Sequence, residues 1–184
     1  KGWCDLKAVG LIDRLPKIDC VQSTASAAIS ATVRQVRAGN HPRVDWSAVE
    51  VQAVHASTIA DSISVDRPRD GLAAVRAVIE SGGEAMTVAD GDILAAIPAM
   101  ARLSGVFPEP AAAAPWAALK HMVRDGQVGA DERVVCLVTG NGLKDIAGAT
   151  AAVGRIEQIV PGRKCHLDER RIGGPTRADE VVGK

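Results

Sequence analysis

The sequence predicts an α/β protein, a three-layer αβα domain built on a mostly parallel sheet. Short apolar runs rich in β-branched residues alternate with stretches whose apolar residues recur every three or four positions. This alternation is typical of a parallel sheet that helices cover on both faces. The 184 residues are enough for one domain with a sizeable core. We assign residues 1–160 to this domain and residues 161–184, where Gly, Pro and charged residues replace the pattern, to a weakly structured tail.

The first part of the chain predicts a strand, two helices and a second strand. Apolar residues at helical spacing indicate the first helix, and Gly39 ends it because glycine suits a helix C-terminus. Pro68 and Asp70 mark the start of the second helix, which Gly82 ends. In order, the ranges are 18–22 for the first strand, 24–37 for the first helix, 51–64 for an ambiguous stretch whose segment at 57–61 suits a loop entering a short helix, 70–81 for the second helix and 84–88 for the second strand.

Two helices and a third strand follow. Asp90 is the predicted cap of a helix that buries Ile93 and Ile97, and Pro98 should kink this helix because proline removes a backbone donor. An Ala-rich helix at 112–124 comes next. Residues 134–138 are continuously apolar and end abruptly at a Gly-Asn-Gly turn, which indicates a buried strand of a parallel sheet. A helix at 143–153 and a short strand at 156–160 complete the pattern.

Thr139 comes directly after the strand predicted at residues 133–138. In open α/β sheets, ligands bind at the carboxyl ends of the strands. The Thr139 hydroxyl can donate or accept a hydrogen bond, while Gly140 and Gly142 allow the backbone to approach a ligand closely. The alternative interpretation is an ordinary strand-to-helix turn with a capping threonine.

Composition argues against several functional classes. The 22 basic and 22 acidic residues balance, and aromatic residues make up only 2% of the chain, so nothing supports nucleic-acid binding. No apolar run approaches the ~18 residues of a membrane span. The cysteines form no Cys-x-x-Cys pair and the histidines have no metal-ligand spacing. We therefore expect a cytoplasmic protein with reduced thiols and no metal site.

Five sequence blocks follow one another along the chain: STIADSI at 57–63, ESGG at 80–83, VADGDIL at 88–94, GVFPEPA at 105–111 and LVTGNGLKD at 137–145. In this order and spacing they resemble the C-terminal half of threonine synthase, a pyridoxal-phosphate enzyme of the tryptophan-synthase-β-like fold (fold type II). The likeness covers residues 1–160, so the resemblance implies a truncated domain of that fold. The Thr-Gly-x-Gly-Leu-Lys-Asp block is the discriminating one, because related dehydratases generally carry a Ser-Gly-Gly-Asn-type turn there.

The resemblance implies three residues that contact pyridoxal 5'-phosphate in the complete enzyme. Thr139 matches the family threonine at the pyridine nitrogen, where a neutral hydroxyl moderates the electron-sink character of the cofactor. Ala60 matches a position near the cofactor ring, with core packing as the alternative. Glu109 matches a glutamate beside the cofactor pocket, with a plain helix N-terminal charge as the alternative.

The resemblance also implies that no catalytic residue lies in this chain. The family's Schiff-base lysine and Gly-rich phosphate loop belong upstream of Lys1, which we expect to lie within a longer protein. Lys144 is expected to be solvated or paired with Asp145. No turnover is therefore expected from this polypeptide alone.

In the complete enzyme, the implied reaction converts O-phosphohomoserine, a small amino-acid substrate, and water to threonine and phosphate. One alternative is another fold-type-II enzyme, either a threonine/serine dehydratase or a cysteate-synthase-like enzyme. The other is a non-catalytic split or degenerate module that binds a partner half. The expected partner is thus the missing N-terminal half or a second copy in a homo-oligomer.

Overall fold

The computed structural model describes residues 1–39 and 43–154, and this part contains six α-helices and two β-strands. Two short 3₁₀ turns, at Asp61–Ile63 and Gly142–Lys144, lie close to the predicted site residues. The helices and strands are α1 (Gly2–Ala8), β1 (Cys20–Ser23), α2 (Ala28–Ala38), α3 (Gly71–Ser81), β2 (Ala85–Val88), α4 (Asp90–Ser104), α5 (Pro110–Arg124) and α6 (Ile146–Val153).

The two strands form a parallel sheet. Cys20 pairs with Ala85 at one end of the ladder and Ser23 pairs with Val88 at the other. Parallel neighbours need a long crossover connection, and here α2 and α3 lie between the strands in sequence. The predicted α/β class and the parallel sheet are therefore confirmed.

Helices and strands enclose two cores on opposite faces of the sheet. Successive strand side chains point to opposite faces, so Val21 contributes to one core and Cys20 to the other. The α4–α5 core includes Val88, Ile93, Ala96, Ile97, Met100, Ala113, Ala114, Ala117 and Ala118. The α2–α3 core is built on Val33, Val75 and Val78, with Cys20, Ile29, Trp46 and Ala85 packed against it.

The predicted boundaries of α3 agree with the structure, whereas the predicted starts of α5 and α2 differ from it. Helix α3 follows Asp70 and ends at Gly82, whose φ of 70° is in the left-handed region that favours glycine. Helix α5 begins at Pro110, earlier than predicted, because proline is well suited to the first helical position. Helix α2 begins at Ala28 rather than at residue 24. Helix α4 continues through Pro98 as one helical segment.

The strand predicted at residues 133–138 is wrong. This segment has no strand structure, and its Val135 and Leu137 side chains are 82% and 71% exposed. Within residues 1–39 and 43–154, the backbone of this segment makes no hydrogen bond to any other residue. An apolar run becomes a strand only where a neighbour satisfies its backbone groups, and the described part supplies no such neighbour.

Two further predictions concern residues outside the described ranges. The strand at 156–160 falls there, as does the proposed boundary between residues 160 and 161, so both stay predictions. Among the described helices, none combines the length and the apolar character that a membrane crossing requires.

Candidate functional site

Residues 139–145, the Thr139 turn, are attached to the segment that leads into α5. The Glu109 backbone N–H donates to the carbonyl of Gly140 (3.0 Å), and the Gly142 N–H donates to the carbonyl of Phe107 (2.8 Å). Inside the turn, the Asn141 side chain accepts a hydrogen bond from the Leu143 N–H. These bonds fix the position of the turn although the residues just before it form no strand.

Both glycines of the turn are required by close packing. A Cβ atom at Gly140 would lie 2.1 Å from Oε1 of Glu109, and a Cβ atom at Gly142 would lie 2.5 Å from the ring of Phe107. The sequence suggested that these glycines admit a ligand. In the structure, the atoms that approach them are side chains of the protein itself.

Glu109 is a buried carboxylate at the start of α5. Its side chain is 5% exposed, and its Oε2 lies 3.1 Å from Nζ of Lys144. The Ser62 hydroxyl donates to the same carboxylate oxygen over 3.4 Å, and Lys144 donates to that hydroxyl over 3.0 Å. The expected pairing of Lys144 with Asp145 is therefore wrong, because its ammonium group pairs with Glu109, whereas the expectation that the side chain is solvated agrees with its exposure of 63%. The side chain of Asp145 instead accepts from the Gly148 N–H at the start of α6.

Asp90 holds the loop at residues 57–63, which carries Ala60 and Ser62. Its carboxylate accepts hydrogen bonds from the Thr58 hydroxyl (2.5 Å), the Ile59 N–H (3.0 Å) and the Ser23 hydroxyl (3.0 Å). Burial alone would raise the pKa of Asp90, but these three hydrogen bonds outweigh burial and lower the pKa. The structure shows no side-chain cap at the start of α4, so the capping role predicted for Asp90 is wrong. Asp90 instead connects the loop at residues 57–63 to Ser23 at the carboxyl end of β1.

The structure places the three predicted cofactor residues around one region. Thr139 is exposed, and its hydroxyl has no hydrogen-bond partner in the part of the chain that the structure describes. Glu109 lies against Gly140, the residue after Thr139. Ala60 is fully buried in the α4–α5 core, two residues before the Ser62 that contacts Glu109. Thr139 is the member of the three with free surface for a ligand.

A cavity of about 530 Å³ opens beside this region. Asp61, Ser62, Glu109, Lys144 and Asp145 form its polar side, while Ile59, Pro110, Ala111, Ala147 and Ala151 form its apolar side. A concave site with an apolar wall and a few convergent polar groups is the usual form of a small-molecule pocket.

Other candidate chemistry receives no support within the described ranges. No group of three or more His, Cys, Asp or Glu residues there could hold a metal ion. Burial raises the pKa of the Cys20 and Cys136 thiols, which lowers the thiolate fraction that a nucleophile requires. The sequence could not have revealed the contact between Lys144 and Glu109, since 35 residues separate the two.

Comparisons with known proteins agree on one family. A family model described as "Pyridoxal-phosphate dependent enzyme" matches residues 6–140. The chain is 38% identical over 145 residues to a threonine synthase from Methanosarcina acetivorans, covering 79% of this chain and 33% of the relative. It is 35% identical over 152 residues to a threonine synthase from Methanocaldococcus jannaschii, covering 83% of this chain and 35% of the relative. The chain thus spans about a third of the length of these curated relatives.

A solved structure also resembles the chain. It is described as a T.th. threonine deaminase, with a TM-score of 0.45 and 19% sequence identity over 74% of this chain and 42% of that chain.

Proposed function

The chain belongs to the family of pyridoxal-phosphate dependent enzymes, and from that premise we propose that it forms one part of a threonine-synthase-like enzyme. The complete enzyme would convert O-phosphohomoserine and water to threonine and phosphate. The observation that carries this proposal is the 35–39% identity to threonine synthases over about four fifths of the chain. The Thr139 turn supports it, because Thr139 carries an exposed hydroxyl and two other residues of the same turn, Lys144 and Asp145, line the cavity.

Thr139 is suited to contact the pyridine edge of the cofactor. Pyridoxal phosphate supplies an electron sink when bound. Thr139 would bind its pyridine nitrogen through a neutral hydroxyl, which has free hydrogen-bonding capacity among the described residues. A hydroxyl holds a ring proton less firmly than a carboxylate, so Thr139 would moderate the electron sink rather than strengthen it.

Ala60 and Glu109 have less direct access to a ligand. Ala60 has no exposed surface, so it would border the cofactor only after the loop at residues 57–63 shifts. Glu109 is 4% exposed and packs against Gly140, so it would support the Thr139 turn from the protein side rather than contact the cofactor directly. We propose that both residues form the wall behind Thr139.

A second polypeptide segment would supply the remaining groups. By resemblance, the lysine that binds the cofactor covalently and the loop that binds its phosphate come from the portion of the relatives that this chain does not span. The substrate phosphate contacts would come from the same portion. The described part of the chain would then contribute Thr139, which contacts the pyridine edge of the cofactor, and the wall behind Thr139.

The test combines this chain with the remaining two thirds of the Methanosarcina acetivorans relative. We expect phosphate release from O-phosphohomoserine by the mixture and none by either polypeptide alone. Thr139→Val removes the hydroxyl at nearly constant volume and should lower turnover of the mixture about 10²-fold. Thr150→Val, an exposed change on α6, is the matched control.

Two outcomes would refute the proposal. One is turnover by this chain alone. The other is a single stoichiometric lysine adduct on this chain after addition of pyridoxal phosphate and reduction with borohydride. Release of ammonia from threonine or serine by the mixture, in place of phosphate from O-phosphohomoserine, would favour a dehydratase.

One observation favours a second function, a non-catalytic module that binds a partner half. The apolar segment at residues 134–138 is exposed and unpaired within the described ranges, and an exposed unpaired apolar segment is prone to binding another chain. A mixture that forms a stable complex but releases no phosphate would support this function.

A further inference from the structure

Lys144 is the ammonium group that faces the buried carboxylate of Glu109, and the proposed cofactor contacts assign it no role. Its Nζ lies 3.1 Å from Oε2 of Glu109 and 3.0 Å from the hydroxyl of Ser62. One ammonium group therefore joins the Thr139 turn, the start of α5 and the loop at residues 57–63.

The charges around Glu109 make this contact important. The Glu109 side chain is 5% exposed, and a buried carboxylate without a counter-ion is costly. Among the described residues, Lys144 and Ser62 are the groups that bond to this carboxylate. Asp61 and Asp145 line the same cavity, so the surroundings add negative charge. The Lys144 side chain is 63% exposed, so the position of its ammonium group beside Glu109 can be reached from solvent.

We propose that Lys144 is a positioning residue of the candidate site. Its ammonium group neutralises Glu109 and thereby holds the Thr139 turn against the loop at residues 57–63. Removal of the Lys144 side chain leaves a slot that accepts a primary alkylammonium ion. The inference rests on the proposed function for the role of Thr139, but the contact itself requires no cofactor.

The first experiment replaces Lys144 with Ala in the full chain. We expect the melting temperature to fall by about 2–4 °C, because an exposed ammonium is partly screened. Amide exchange at Gly142, whose N–H donates to Phe107, should become about fivefold faster. Lys120→Ala, an exposed lysine on α5, is the matched control and should change neither quantity.

The second experiment restores the lost group chemically. Propylammonium supplies three carbons and an ammonium group, in place of the Cγ, Cδ, Cε and Nζ atoms that Lys144→Ala lacks, and tetramethylammonium carries the charge without an N–H donor. At equal ionic strength, propylammonium should restore the melting temperature and the Gly142 exchange rate of Lys144→Ala, whereas tetramethylammonium should not. The double variant Lys144→Ala with Glu109→Gln should respond equally to both ions.

Two results would overturn the proposal: Gly142 exchange unaffected by Lys144→Ala, or equal responses of that variant to the two ions. If Lys144→Ala does not fold in tetramethylammonium, folding in propylammonium supports the proposal and failure in both ions contradicts it. Lys144→Gln repeats the comparison in a milder variant. None of these measurements uses pyridoxal phosphate or a substrate, so failure here and failure of the proposed function are separately observable.

Discussion

At the residue scale, two carboxylates hold the candidate site through different kinds of partner. Glu109 faces an ammonium group, whereas Asp90 accepts hydrogen bonds from two hydroxyls and one backbone N–H. Neutral donors stabilise the ionised form of a carboxylate when several converge on it, and the pKa of Asp90 is lowered for this reason. Asp90 therefore links the structure of the loop at residues 57–63 to pH.

We expect Asp90→Asn to remove a pH-dependent part of the stability. A carboxyl group whose pKa is lowered by folding contributes stability above its unfolded pKa of about 3.9, and this contribution is lost as pH falls through the folded pKa. The wild-type free energy of unfolding should therefore fall more steeply below about pH 4 than that of the variant. Urea denaturation at a series of pH values measures this difference.

The exposed Asp131→Asn variant is the control for the change in net charge. Parallel pH profiles for Asp90→Asn and the wild type would contradict the role assigned to Asp90.

The close packing of Gly140 against Glu109 predicts that a larger residue at position 140 destabilises the fold. Because Glu109 is buried and paired with Lys144, a methyl group at Gly140 can fit only if the carboxylate leaves its partner. We expect Gly140→Ala to destabilise the fold by about 1–3 kcal/mol, measured by urea denaturation.

Gly91→Ala is the control, because Gly91 lies in helix α4 and a methyl group there meets no atom within 4 Å. It should be neutral or stabilising by up to about 1 kcal/mol. Equal effects of the two changes would show that the close approach at Gly140 is absent in solution.

At the element scale, local signals were predictable from the sequence and long-range contacts were not. Helix α3 begins after Asp70 and ends at Gly82 because both signals lie within the helix ends themselves. The strand predicted at residues 133–138 depends on a neighbouring strand, which an apolar run does not encode. The pairing of Lys144 with Glu109 depends on tertiary structure in the same way.

Because the segment at residues 133–138 is exposed, we expect the isolated chain to tolerate a charged substitution there. Because Val135 is 82% exposed, Val135→Lys should change the free energy of unfolding by no more than about 0.5 kcal/mol and should reduce self-association. Chemical denaturation and light scattering measure the two quantities.

Val75→Lys is the contrasting variant, because Val75 is fully buried in the α2–α3 core and should not tolerate a charge. A loss of more than about 1 kcal/mol from Val135→Lys would mean that this segment is already packed in the isolated chain.

At the scale of the whole molecule, the two cores share the two strands. Val21 and Met86 pack against the α4–α5 core, while Cys20 and Ala85, their neighbours in sequence, pack against the α2–α3 core. Neither core can therefore lose its strands without exposing the other. Residues 1–154 form one compact unit, which agrees with this arrangement.

This shared sheet predicts that damage to one core lowers the stability of the other. Trp46 packs against the α2–α3 core and can report on it after Trp3 and Trp116 are replaced with Phe. In that background, Ile97→Ala in the α4–α5 core should cost about 2–5 kcal/mol and lower the urea midpoint seen by Trp46 fluorescence. Leu103→Ala, a 77% exposed change on the same helix, should leave the midpoint unchanged. If Ile97→Ala left the urea midpoint measured by Trp46 fluorescence unchanged, the cores on the two faces of the sheet would unfold separately.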